Sequence, residues 1–284
     1  MSHRLLARRS RAIFSSRPVT LVFTVVIVFA VLFLMLQALV DRMLYYPMPY
    51  PQGDWAAQSE AGAEDVWLTT KDGIRLNAWW FPKADAQFVT LFLHGNAGNV
   101  THRIDHAEAV RLAGSAILVL DYRGYGKSKG RPSEQGLYLD GDAAYEQLIR
   151  RGYPPNRIIL QGESLGTAVA VDLASRYSCA AVVLESPLAS LSRMAATVFP
   201  LLGPLVAHGF DTDKKIRKVN VPLLIIHGES DEIVPFSQGQ AVFKNANQPK
   251  HFWRVSGAHH NDLLYVAGSE YAVRLGAFYA SLPN

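Results

Sequence analysis

Ile158-Ile159-Leu160-Gln161-Gly162-Glu163-Ser164-Leu165-Gly166-Thr167-Ala168 decides the reading of this chain. An apolar run enters the segment, an Ala/Val/Leu helical pattern leaves it, and a G-x-S-x-G turn lies between. A strand that ends in a sharp turn and reopens as a helix holds its central residue above the sheet edge. Gly162 and Gly166 relieve backbone crowding on either side of that strained turn. The helix that follows aims N–H groups and the positive end of its dipole at the same point. Ser164 is the candidate nucleophile, and the Leu165 amide is one candidate donor to an oxyanion. A purely structural Gly-Ser turn is the competing reading, and it fits this context less well.

Working outward, strand-like runs recur at 66–70, 75–81, 88–93, 116–120, 157–160, 181–184, 223–226 and 251–255. Helical patterns lie near 101–113, 134–150, 165–176, 236–246 and 262–281. Lys71-Asp72-Gly73 joins the first two strands as a hairpin. Strand–helix alternation predicts an α/β fold with a mostly parallel sheet of about eight strands and helices on both faces. Ligands in such sheets bind at the carboxyl ends of the strands. The segment 187–210 breaks the rhythm: it is apolar, with Arg193 its one formal charge. Pro200 and Pro204 argue against one long helix there. It reads as a short apolar cap, against the alternative of a core helix with a loop.

A serine hydroxyl needs a base, and the base needs an orienting acid; in a strand–turn–helix context these follow in the order acid, then His. Asp231 lies in the loop after strand 223–226, and His259 and His260 lie in the loop after strand 251–255. His260 is taken as the base, with His259 as its neighbour. Asn261 and Asp262 resemble the N-cap region of the last helix. Glu232 and Asp262 are the rival acids, each read as solvated or capping. His227 ends a central strand and reads as a residue that bonds loop backbone.

His94-Gly95-Asn96-Ala97-Gly98-Asn99 follows the apolar strand 88–93, and its small residues let amides converge on one oxygen. The second oxyanion donor is placed at Asn96 N–H. A glycine-rich phosphate loop is the weaker alternative, with no Walker lysine and no G-x-G-x-x-G. His102 and His106 lie four apart but without H-E-x-x-H, so they read as a solvated helix face and not as a metal site. No metal and no cofactor is expected.

The chain has 284 residues and is 49% hydrophobic, which excludes a wholly disordered protein and allows a substantial core. A single cysteine, Cys179, excludes an intrachain disulfide framework. The net charge of +4 is concentrated in Arg4, Arg8, Arg9, Arg11 and Arg17, and the remainder sums to −1. A near-neutral body gives no case for nucleic-acid binding. Val19 to Val40 is 22 residues without a charge. As a helix it would span roughly 33 Å, against about 30 Å for a hydrocarbon core. That run is longer than a signal-peptide core and no small-x-small cleavage site follows it. The expected organisation is a basic cytoplasmic N-terminus at 1–18, a single-pass anchor at 19–40, a linker at 41–60 and the main domain at 61–284. Arginine bias puts that domain on the periplasmic or lumenal side. Tyr45, Tyr46 and Tyr50 suit the membrane interface, and the prolines at 47, 49 and 51 suit a stiff spacer.

Taken together, these elements resemble the α/β-hydrolases. They are most similar to the membrane-anchored abhydrolase branch that includes the fungal bud-emergence protein family, and also to the serine aminopeptidase-like hydrolases. The likeness rests on 94–99, Asp121-Tyr122-Arg123-Gly124-Tyr125-Gly126-Lys127-Ser128, 162–166, and His227-Gly228-Glu229-Ser230-Asp231-Glu232-Ile233-Val234-Pro235 with His260-Asn261-Asp262. The resemblance implies Ser164, Asp231 and His260 as a triad, in agreement with the residue-based reading. The family usually has a small residue and Gly before its catalytic His, whereas His259 stands there in this chain. The expected activity is hydrolysis of a small-molecule carboxylic ester or thioester through an acyl-serine. The competing readings are an amidase or peptidase with the same triad, and a non-catalytic membrane-tethered binding protein.

Overall fold

The computed structural model describes residues 17–198, 200–201 and 203–283. The basic cluster at Arg4, Arg8, Arg9 and Arg11 lies outside the described residues. Ten strands are described: β1 (Tyr46–Pro47), β2 (Glu64–Thr69), β3 (Arg75–Phe81), β4 (Phe88–Leu93), β5 (Ala97–Gly98), β6 (Ser115–Leu120), β7 (Ile158–Glu163), β8 (Ala181–Glu185), β9 (Leu223–Gly228) and β10 (Lys250–Val255). The helices are α1 (Arg17–Leu44), α2 (Ala57–Glu60), α3 (Ile104–Leu112), α4 (Glu134–Arg150), α5 (Leu165–Ala174), α6 (Leu191–Val198), α7 (Gly203–Val206), α8 (Thr212–Lys215), α9 (Phe236–Asn245), α10 (Leu263–Ala267) and α11 (Ser269–Ala280).

Eight strands form one sheet in the order β10-β9-β8-β7-β4-β6-β3-β2. β2 and β3 make the expected antiparallel hairpin, β3 runs antiparallel to β6, and every other neighbour is parallel. Successive side chains of a strand point to opposite faces, and both faces here are covered. Val89, Leu91 and Leu93 of β4 join the cluster packed under α4 and α5. Phe88 and Phe92 join the opposite cluster, with α3 and α11. The polar Thr90 sits on that second face because Ser115 and the Tyr279 hydroxyl take its hydrogen bonds at 2.9 and 3.3 Å. Strand order reverses at β4, whose neighbours are β6 on one side and β7 on the other. Such a switch point opens a crevice at the carboxyl ends, where the loops after β4 and β7 meet.

Two segments depart from the sequence reading. The last helix is two, because the chain turns at Gly268 (φ 52°) between α10 and α11. Residues 45–52 are stitched to the domain: β1 pairs in parallel with β5, Pro49 bridges Gly126, and Tyr45 is buried in the core. Tyr46 and Tyr50 stay exposed. The cap segment folds as the short helices α6 and α7 with Pro200 between them, and α7 lies against both α6 and α1.

α1 carries the uncharged run, and its side chains from 20 to 35 are exposed. Among the described residues no helix is long and apolar enough to cross a membrane. That finding gives no support to the single-pass span expected at 19–40.

Candidate active site

Ser164 occupies the turn between β7 and α5 at φ 50° and ψ −116°. A non-glycine residue there costs roughly 1–3 kcal/mol and persists only where its surroundings hold it. The Ser164 amide donates to the Glu185 carbonyl at 2.8 Å, and the Thr167 amide and hydroxyl both donate to the Ser164 carbonyl. A Cβ at Gly162 would meet Gly166 and Thr167 backbone within 2.6 Å, and one at Gly166 would overlap the Leu93 carbonyl. Both glycines are steric requirements of the turn.

The loops after β7, β9 and β10 bring Ser164, Asp231 and His260 together. His260 Nε2 lies 3.1 Å from Ser164 Oγ, and His260 Nδ1 lies 2.8 Å from Asp231 Oδ2. The carboxylate can only accept, so Nδ1 carries the proton and Nε2 faces the hydroxyl as an acceptor. Asp231 Oδ1 accepts the Ile233 and Val234 amides at 3.0 and 2.7 Å. Burial alone would raise the Asp231 pKa; hydrogen bonds from His227, His260 and the Val234 amide outweigh it and hold the group ionised, well below the usual carboxylate range.

The rivals sit elsewhere. His259 is exposed and points its Nδ1 at the exposed Glu232, 3.2 Å away. Asp262 stands at the N-cap of α10 and accepts the His259 amide at 2.7 Å. His227 Nε2 donates to the Val234 carbonyl at 2.9 Å, the backbone bond expected of it. It also stands 3.3 Å from Asp231 Oδ2, which the sequence did not suggest.

The loop 94–99 packs against the same turn. A Cβ at Gly95 would lie 3.5 Å from the Cβ of Ser164. The buried His94 ring donates from Nδ1 to the Gly95 carbonyl at 2.7 Å. That carbonyl shares a peptide plane with the Asn96 N–H, so pinning one fixes the direction of the other. Tyr122 and Tyr125 pack on the ring, with centroids 4.6 and 5.2 Å away. Leu165, the other candidate donor, is buried at the start of α5.

Behind Ser164 lies a polar network that the sequence reading missed. His106 is not on a solvated face: it is half-buried, with Nε2 3.3 Å from Glu185 Oε2. Burial alone would lower its pKa, but the Glu185 carboxylate outweighs this and raises it. Glu185 Oε1 also accepts from Gln161 Nε2 at 2.6 Å and from the Tyr271 hydroxyl at 2.7 Å. Arg103 pairs with Glu163 at 2.7 Å. The available signal was the interruption of apolar strand runs by Gln161, Glu163 and Glu185. Among the described residues, no group of three or more His, Cys, Asp or Glu side chains converges on a metal position.

A doubly covered parallel sheet with a Ser-centred turn at its switch point is the architecture of one large class of hydrolases. A family model described as serine aminopeptidase, S33, matches residues 84–210. The chain is 39% identical over 241 residues to the alpha/beta hydrolase domain-containing protein 17C of Homo sapiens, covering 82% of this chain and 71% of that one. It is 40% identical over 226 residues to an uncharacterized protein of Mycobacterium tuberculosis, covering 78% and 80%. Among solved structures, an esterase of Pyrococcus furiosus superposes with a TM-score of 0.70 at 22% identity, over 85% of this chain and 99% of that one. The chain belongs to the α/β-hydrolase superfamily.

Proposed function

We propose that the protein is a membrane-anchored serine hydrolase that cleaves a carboxylic ester or thioester through an acyl-serine intermediate. The hydrogen-bonded chain Ser164–His260–Asp231 carries this reading. As the Ser164 oxygen bonds to the substrate carbonyl carbon, its proton passes to His260 Nε2. The carbonyl π electrons move to oxygen, and the resulting anion lies between the Leu165 and Asn96 amides. The intermediate collapses, the alkoxide or thiolate leaves with the proton from His260, and the acyl group stays on Ser164. Water then repeats the sequence, with its proton taken by His260, and releases the acid. Asp231 holds the imidazole in the tautomer with Nδ1–H and stabilises its charged form.

The apolar segment 187–210 supports an acyl chain as the recognised part of the substrate. Anchoring through 19–40 is supported by the lack of charge over 22 residues and by the exposed apolar side chains of α1. The arginines of 1–18 would stay cytoplasmic and put the domain on the opposite face. The serine aminopeptidase description of the matching family keeps amide hydrolysis as a second reading. A fluorophosphonate probe on the full chain tests the reading: wild type is labelled and Ser164→Ala is not. A folded wild type that stays unlabelled overturns it. Turnover of an ester, a thioester and an amide, and of nitrophenyl esters of increasing chain length, separates the substrate classes; equal rates at every chain length would overturn the acyl-chain assignment.

A further inference from the structure

We propose that the Asn96 side chain and carbonyl position the residue's own N–H, and that the strap leaving α1 sets the direction of this oxyanion amide. This inference rests on the serine-hydrolase reading above. The Asn96 side-chain amide donates to the carbonyl of Leu44, the last residue of α1, at 2.7 Å. The Asn96 carbonyl accepts the Tyr46 amide at 2.9 Å and the Tyr125 hydroxyl at 2.8 Å. Two residues on, Met48 N–H donates to Gly98 O at 3.1 Å, continuing the β1–β5 pairing. At the far end of the loop, Asn99 Nδ2 donates to the Met48 and Gln52 carbonyls, both at 2.9 Å. Both asparagines of His94-Gly95-Asn96-Ala97-Gly98-Asn99 therefore spend their side-chain donors on the segment 44–52, not on the site.

The consequence follows from backbone geometry. With the Gly95 carbonyl held by His94 and the Asn96 carbonyl and side chain held by the strap, both peptide planes flanking the Asn96 Cα are fixed. An oxyanion donor works only if it is aimed before charge develops. Here the aim is set by residues that leave the apolar helix, so the end of α1 and the site move as one piece.

The test uses the full chain in detergent micelles. Asn96→Asp keeps size but replaces the donor with an acceptor facing the Leu44 carbonyl. Tyr46→Pro removes the amide that Asn96 O accepts, and Tyr46→Ala keeps it. Tyr46 is 55% exposed, so truncating its side chain removes little packing. Each is assayed for kcat and KM on p-nitrophenyl butyrate and for inhibition by a trifluoromethyl ketone. The ketone carbon bonds to Ser164 Oγ, the serine proton goes to His260, and the carbonyl oxygen becomes an anion. Asn96→Asp and Tyr46→Pro are expected to lower kcat about tenfold or more and to weaken the ketone equally, with KM nearly constant. Tyr46→Ala should match wild type. The inference is overturned if Tyr46→Pro behaves as Tyr46→Ala does, or if KM rises while kcat and ketone affinity hold. Should Asn96→Asp fail to fold, the Tyr46 pair decides. A wild type that neither turns over the ester nor binds the ketone overturns the hydrolase reading as well; an active wild type with indifferent variants overturns the strap alone.

Discussion

The guanidinium of Arg103 stands 2.7 Å from the carboxylate of Glu163, the residue immediately before Ser164. The same group donates to the Ala97 carbonyl at 3.2 Å. One side chain thus clamps the turn that carries Ser164 to the loop that carries Asn96. Burial alone would raise the Glu163 pKa, but the Arg103 charge, and after it that of His106, brings it down to about 2.

Removing Arg103 should leave an uncompensated carboxylate in a largely buried place, since the two side chains are only 12% and 25% exposed. Arg103→Gln is expected to lower stability by about 3 kcal/mol, the low end for breaking a buried pair. Arg103→Lys keeps the charge but not the fork, so it should lose less stability and still lose kcat. Urea denaturation with a parallel ester assay measures both. A wild-type midpoint for Arg103→Gln would show that the clamp contributes nothing.

Glu163 also sets a pH dependence. Its folded pKa, about 2, lies below the ordinary 4.5, so the unfolded chain binds the proton more tightly. The stabilisation is complete above about 4.5 and is lost as pH falls toward about 2. Glu163→Gln should be less stable than wild type at pH 7 and lose less on acidification. Denaturation midpoints at pH 7, 5 and 3 compare the two; parallel curves would contradict the assignment.

The two adjacent histidines should behave oppositely. His260→Ala is expected to lower kcat on the order of 10⁴-fold and Asp231→Asn by a comparable factor, because the tautomer is lost. His259→Ala removes an exposed pair with Glu232 and should stay within about twofold of wild type. Steady-state kinetics on one ester decides. Loss of activity in His259→Ala alone would reverse the assignment of the base.

Gly166→Ala should be among the most damaging single-methyl additions in the chain. The new Cβ meets the Leu93 and His94 carbonyls, which are backbone and cannot rotate away. Overpacking of this kind costs about 1–3 kcal/mol or more, and here it also shifts Ser164. The expected result is poor soluble yield or a lowered melting temperature, together with lost fluorophosphonate labelling. Wild-type labelling in a stable variant would show that the turn can relax.

The sheet was legible in the sequence because its signals are local. Runs such as 88–93 and 181–184 are apolar because both faces of a parallel sheet are covered, and the order of runs then restricts the topology. The turn at Ser164 was legible for the same reason: glycines two residues to either side relieve a clash generated by the turn itself. What local pattern could not determine was which distant groups meet. His259 and His260 are chemically alike, and only the path of the chain after β10 puts one against Asp231 and the other against Glu232. His106 looked solvated because its own helix is short and mixed in character; its partner Glu185 lies on another strand, brought near by sheet order. The prolines at 47, 49 and 51 read as a stiff spacer, since nothing near them in sequence names the loop at 96–99 to which their segment is bound. Periodicity and backbone strain are properties of a few consecutive residues. Pairing across the fold depends on the register of strands many residues apart, and only the folded chain decides it.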